Sequence, residues 1–349
     1  MSRPLHIAAA GMVTCVGLDA AGSCAAMRAR LDGFAETRFM GPDGSWLIGG
    51  AVPLPRNWIG LKRQAHLAAG ALADIERARP GTLAATPLIL CLAEETRPGR
   101  PVPQPEALLR HLAEILSLPA PPRAEIVSHG RPSGFVALDR ARRKIAEGAE
   151  AVLILGLDSY LTAQSVSHYL GQARLLGPGN ANGFIPGEAA AAILCTAAPG
   201  PLRLTGLGLA REEAYLYNGQ DADGHDLPLR GDGMVRAFEL ALAEAGMEMG
   251  HVEYRLSDLA GEKYFFQQST LAAQRLTRNR TEMQDIWCPA ESLGNVGAAV
   301  VPVMLGRALT ARLRGYAPGS PVMIEASGDD GACGAAVLHE LRHGGRGAG

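Results

Sequence analysis

Aromatic residues make up only 5% of this 349-residue chain, too few for the stacked-ring platforms that hold single-stranded nucleic acids. Neither sign of charge dominates: 33 Lys and Arg stand against 35 Asp and Glu, interspersed, for a net charge of −2. No basic stripe is long enough to follow a phosphate backbone, so nucleic acid is not an expected partner. No apolar run approaches the ~20 residues needed to span a membrane, and the opening segment Met1 to Ile7 lacks a signal-peptide core. The expectation is a soluble, cytoplasmic protein with no membrane contact. The six cysteines, at positions 15, 24, 91, 195, 288 and 333, form no CxxC pair. Cys91 and Cys195 sit inside apolar runs and read as buried free thiols in a reducing compartment. The segment from Asp221 to Asp226 has the look of a small metal loop, but it lacks full calcium spacing and a terminal Glu, and reads as a solvated turn. Neither cofactor nor metal is expected.

What is present is a chain 47% hydrophobic with 43 glycines, suited to a large core of closely packed helices and strands. Leu5 to Val13 reads as a buried strand, followed by a helix over 20–31 capped by Asp19. Residues 33–57 read as an irregular insertion. Further helices are expected over 61–78, 105–116, 133–147, 231–245 and 297–314. Strands are expected over 87–93, 124–127, 151–155, 189–195, 203–210, 254–258, 321–326 and 333–338. Such alternation argues an α/β fold with mostly parallel pairing. The order restarts after Pro199 to Pro201, which suggests an internal duplication: one half over 1–200, a second over 201–342, and a disordered Gly/Arg-rich tail over 343–349.

Five segments carry a family resemblance: Ala10-Gly-Met-Val-Thr-Cys-Val-Gly-Leu18; Ser133-Gly-Phe-Val-Ala-Leu138 with Ala146 to Ser159; Gly183-Phe-Ile-Pro-Gly-Glu-Ala-Ala-Ala191; Gly294-Asn-Val-Gly-Ala-Ala299; and Ala326-Ser-Gly-Asp-Asp-Gly-Ala-Cys-Gly-Ala335. Their order and spread over nearly the whole chain resemble the β-ketoacyl synthases of the thiolase-like superfamily. The resemblance implies a five-layered α/β/α/β/α fold built from two duplicated halves. It also implies a homodimer paired through edge strands of the first half.

In those enzymes a Cys at a strand-to-helix turn is the nucleophile, and two His residues from the second half bind the thioester oxygen and assist decarboxylation. The family pattern Cys-Ala-Ser-Gly-Leu matches Arg131-Pro132-Ser133-Gly134-Phe135, so Arg131 stands at the nucleophile's place. A slip of one residue would put Gly130 there. Asn-Ala-His-Gly-Thr matches Asp258-Leu259-Ala260-Gly261-Glu262, with Ala260 in the first His slot. Gly-His-x-x-Gly-Ala matches Gly294-Asn295-Val296-Gly297-Ala298, with Asn295 in the second. Arginine is no nucleophile at ordinary pH, alanine transfers no proton, and asparagine only hydrogen-bonds. Claisen chemistry is therefore expected to be absent.

Cys333 is a candidate substitute nucleophile, against the plainer reading of a small buried residue. His129 is a candidate base without a nucleophile beside it, and Ser133 reads as a helix cap. Arg97 and Arg100 could clamp an anionic phosphopantetheine or a partner's carboxylates, or simply stiffen a loop. Tyr264-Phe265-Phe266 reads as core or interface. Arg131 is expected to pair with Glu262, Asp329 or Asp330 and so plug the pocket, because an unpaired buried guanidinium is costly. The stretches Leu90 to Pro101 and Ser257 to Phe266 resemble, more narrowly, short ketosynthase-like proteins encoded beside type VI secretion effector genes. That implies an adaptor for a secreted effector or spike protein. The alternatives are an acyl-thioester transferase with a displaced nucleophile, which would meet acyl carrier protein, and a chain-length-factor-like partner of an active ketosynthase.

Overall fold

The computed structural model describes residues 4–218, 220, 223–278, 282 and 284–341. The expected disordered tail over 343–349 and the first two residues of the Asp221 to Asp226 loop lie outside the described residues. The first half runs β1 (His6–Val13), α1 (Ala20–Arg28), β2 (Ala35–Met40), β3 (Trp46–Gly49), α2 (Gly60–Ala78), α3 (Thr82–Ala85), β4 (Leu88–Cys91), α4 (Pro105–Leu116), β5 (Ala124–Val127), α5 (Ser133–Ala146), β6 (Ala151–Ser159), α6 (Ala163–Gly171) and β7 (Glu188–Thr196). The second runs β8 (Leu202–Arg211), α7 (Asp232–Ala245), β9 (Tyr254–Ser257), α8 (Lys263–Leu276), β10 (Asp285–Trp287), α9 (Ala290–Leu293), α10 (Val300–Leu313), β11 (Val322–Ser327) and β12 (Ala332–Glu340).

The strands line up as β10-β9-β11-β12-β8-β1-β7-β6-β4-β5. This is one five-strand pattern written twice and joined edge to edge where His6 meets Arg203 and Ile7 meets Leu202. In each half the first strand is antiparallel to the last (β1 to β7, β8 to β12). The last is antiparallel to the next (β7 to β6, β12 to β11), and two parallel pairs finish the set. The pairing is therefore mixed, not mostly parallel. Two connections explain this. The chain leaves β6 at Ser159 and returns at Glu188, directly opposite. It turns between β11 and β12 through residues 328–331, closed by the Gly328 N–H to Ala332 carbonyl bond of 2.7 Å.

Helices α5 and α10 lie between the sheets and touch strands of both. Helices α2 and α4 cover the outer face of the first sheet, and α7 that of the second. The result is five layers. Helix α10 is buried nearly all round, as a middle-layer helix must be. Its Val303, Met304 and Leu305 pack with Ile193 and Ile324 from opposite sheets, and each such side chain contributes about 1.5–3 kcal/mol. Asp19 caps α1, accepting from the Gly22 N–H at 2.6 Å. The expected irregular insertion is instead the β2–β3 hairpin, with Leu47 turned inward and Trp46 and Ile48 outward. All six cysteines are free. No described helix is long and apolar enough to cross a membrane.

Candidate functional site

The loops at the carboxyl ends of β4, β5, β6, β9 and β11 supply the residues of one site, the usual place for function in open α/β sheets. From them come Glu94 and Arg97, Arg131, Asp158 with Arg174, Asp258 with Glu262, and Asp329. Arg131 lies in the turn just before α5 and is only 2% exposed. The preceding Gly130 has φ +61, and a Cβ there would sit 1.8 Å from Glu94 Oε1, so any other residue would strain the turn and displace the Glu94 carboxyl.

The Arg131 guanidinium stands 4.0 Å above the ring centre of Phe265. One Nη donates to Asp329 Oδ1 at 3.1 Å. The other lies 3.2 Å from Asp258 Oδ2, an ion pair without hydrogen-bond alignment. Arg174 completes the cluster. Its Nε and Nη2 donate to the two Glu262 oxygens at 2.6 and 2.8 Å. Its Nη1 donates to Asp329 Oδ2 at 2.6 Å and to Tyr217 Oη at 2.5 Å. Beside them Arg97 makes a bidentate pair with Asp158, one arm at 2.9 Å, and lies over the Tyr160 ring at 4.3 Å. Asp158 also accepts from the Ala298 N–H at 2.9 Å. Gly297, with φ +52, leaves the room this needs: a Cβ there would fall 1.9 Å from Asp158 Oδ2.

The electrostatics follow from burial opposed by neighbours. Burial works against the charge of Arg131, yet Asp258 and Asp329 hold its pKa above the ordinary arginine value. Arg174 is raised in the same way by Glu262 and Asp329. Burial disfavours ionised Asp329, but Arg174 and Arg131 outweigh it and its carboxyl is more acidic than usual. Asp258 is the exception: burial dominates Arg131 and raises it to about 6. Glu94 is raised as well, by burial and then by Asp329 and Asp158, although Arg97 draws it down.

The expected plug residues divide. Arg131 meets Asp329. Glu262 pairs with Arg174 instead, and Asp330 accepts from the Ala332 N–H at 3.1 Å, stiffening its own hairpin. Asp258 and Arg174 are partners that the sequence reading missed. Asp258 flanks the expected His slot at Ala260, and Arg174 lies in a connection without a motif. Ala260 packs against the small apolar cluster of Tyr160, Tyr169 and Phe184. Asn295 is buried, its side-chain oxygen accepting from the Gly297 N–H at 3.0 Å. Cys333 is buried, its thiol raised by burial far above the usual range, with Gln268 Nε2 3.7 Å away; such a thiol is not an activated nucleophile.

His129 is exposed, held through its backbone N–H to Ser133 Oγ at 2.9 Å. Ser133 opens α5 rather than capping it, and its hydroxyl ties that turn to the Leu92 carbonyl. Arg97 and Arg100 do not form a clamp: Arg97 is neutralised by Asp158, while Arg100 donates to the Pro103 carbonyl at 3.2 Å. The aromatic triplet opens α8, with Phe265 buried under Arg131 and Phe266 exposed. Among the described residues no cluster of His, Cys, Asp and Glu is arranged to hold a metal ion.

No family model matches the sequence, and no curated protein matches it. Solved structures do. A ketosynthase in complex with its chain length factor from Xenorhabdus doucetiae superposes with a TM-score of 0.77 at 16% identity, over 97% of this chain and 98% of that one. A β-ketoacyl synthase from Burkholderia phymatum gives 0.69 at 17% identity, over 98% and 100%. The ketosynthase from module 6 of the bacillaene synthase of Bacillus subtilis gives 0.74 at 13% identity, over 97% and 72%. The chain has the thiolase-like ketosynthase fold.

Proposed function

We propose that this chain is a non-catalytic ketosynthase-fold binding module. The observation that carries the reading is the Arg131–Asp329–Arg174–Glu262 cluster. It puts interlocked ion pairs where the resemblance calls for a nucleophile, and neither Ala260 nor Asn295 offers a proton to move. A buried guanidinium held by two carboxylates has no route to an acyl-enzyme. Incubation with malonyl- and acyl-loaded carrier protein, followed by intact mass measurement, is expected to give no covalent adduct and no decarboxylation. Stable acylation of any cysteine, Cys333 included, would establish the displaced-nucleophile transferase instead.

The finer reading is an adaptor that loads a secreted effector or spike protein of a type VI secretion system. The two stretches of narrower resemblance support it, because they supply Glu94, Arg97, Asp258, Glu262 and Phe265, which build the ion cluster and its aromatic support. Co-expression with the effector or spike encoded nearby is expected to yield a stable complex. A second reading is favoured by the superposition on a ketosynthase solved with its chain length factor: a partner subunit of an active ketosynthase. In both readings the expected contact is the outer edge of β5, which among the described residues has a neighbour only on its β4 side. Light scattering of the purified chain is expected to show a homodimer. A monomer that dimerises only with an added ketosynthase would favour the second reading.

A further inference from the structure

Above the ion cluster opens a cleft of about 470 Å³, the size of a small-ligand site. Its walls include Tyr169, Tyr215 and Tyr217, and Glu94, Asp329 and Asp330 line it on the acidic side. The arginines at and below its floor are already committed: Arg97 to Asp158, Arg131 to Asp258 and Asp329, Arg174 to Glu262 and Asp329. Three arginines thus face the four carboxylates Asp158, Asp258, Glu262 and Asp329; Asp330 adds further negative charge at the cleft, and Glu94, whose ionised form burial disfavours, gains by ionising against an incoming cation. Glu94 is the telling group. Its Oε2 is buried and makes no hydrogen bond, and the nearest cation, Arg97, stands 3.8 Å away and is held by Asp158. A carboxyl oxygen shielded from water and short of a partner is costly, and negative charge beside aromatic faces attracts an organic cation. Arg174 already packs in this manner, 5.0 Å from the Tyr169 ring centre and 5.5 Å from that of Tyr217.

We infer that this cleft binds an organic cation, a guanidinium or primary ammonium group, between the tyrosines and the Glu94, Asp329 and Asp330 carboxylates. The inference deepens the binding-module reading and rests on it. The cation comes either from a partner's Arg or Lys side chain or from a free amine. The same charge balance disfavours the phosphate of a phosphopantetheine arm.

Calorimetric titration with small probes tests this. N-acetylarginine amide presents the side chain as a protein would, agmatine presents a free guanidinium amine, and N-acetylcitrulline amide is the neutral isostere. The arginine probe or agmatine is expected to bind at least about tenfold more tightly than the citrulline probe, since charge-assisted hydrogen bonds are at stake. Binding should weaken in high salt. Whichever guanidinium probe binds more tightly identifies the source. Glu94→Gln and Asp330→Asn are each expected to cost about tenfold. Asp330→Asn keeps an acceptor for the Ala332 N–H, so it reports on charge even if Glu94→Gln disturbs the turn. Equal binding of the arginine and citrulline probes, affinity unchanged in both variants, or preferential binding of phosphopantetheine would overturn the cation site. The carrier-protein acylation test is independent, so failure of this inference and failure of the binding-module reading are told apart.

Discussion

Arg131 and Arg307 are both buried arginines resting on aromatic rings, Arg131 on Phe265 at 4.0 Å and Arg307 on Trp287 at 4.8 Å. They differ in what answers the charge. Arg131 has Asp258 and Asp329, and its pKa lies above the ordinary value. Arg307, on α10, has no carboxylate within 4 Å among the described residues, and burial pulls its pKa down. A tolerated buried charge therefore looks like Arg307: one ring, partial desolvation, no dedicated partner. A constructed one looks like Arg131, with carboxylates brought from two distant loops to a single turn. The ion cluster is a built feature of the pocket.

Removing the centre of the cluster should show the largest effect. Arg174→Met leaves Glu262 without its bidentate partner and is expected to cost about 3–5 kcal/mol in urea unfolding, the usual penalty for stranding a buried charge. Arg174→Lys should recover only part of it, because the forked geometry is lost. Arg131→Met should cost less, about 2–3 kcal/mol, since Asp329 keeps Arg174 and Asp258 can take up a proton. Its penalty should be larger at pH 8 than at pH 5, where Asp258 is already protonated; a penalty independent of pH would show that Asp258 is not its working partner.

The pH dependence sharpens the contrast within the cluster. The folded-state pKa of Asp258 is raised to about 6. Its contribution is fully present below the unfolded-state carboxylate value and is lost as pH rises toward that figure. The wild type should thus lose stability relative to Asp258→Asn across roughly pH 4 to 6, by on the order of 2 kcal/mol. Asp329, more acidic in the fold, contributes in the opposite sense: its share is present above the unfolded value and lost as pH falls through the folded one. Thermal midpoints of both proteins across this range decide the matter. Arg307→Met should show the smallest effect, within about 1 kcal/mol of neutral and of either sign, because no buried partner is stranded. A loss comparable to that of Arg131→Met would mean the two arginines are not different in kind.

The sequence by itself determined the alternation of strands and helices, the repeated order of the halves and the buried thiols. These are local signals: apolar periodicity and turn residues. The charge argument at Arg131 was also legible, because a guanidinium in a buried turn demands a carboxylate, and Asp329 was among those proposed. Which carboxylate pairs with which arginine was decided only by the tertiary structure. Asp258 and Arg174 carry no motif of their own, and Glu262 lies within reach of two arginines along the chain's course. Residue 174 reaches residue 329 because the β6–β7 connection folds back across the ends of the strands, a placement set by long-range packing of Tyr160, Tyr169 and Phe184. The antiparallel strands at the centre of each half were hidden for the same reason: strand direction depends on where a connection returns, and periodicity within a strand does not record it.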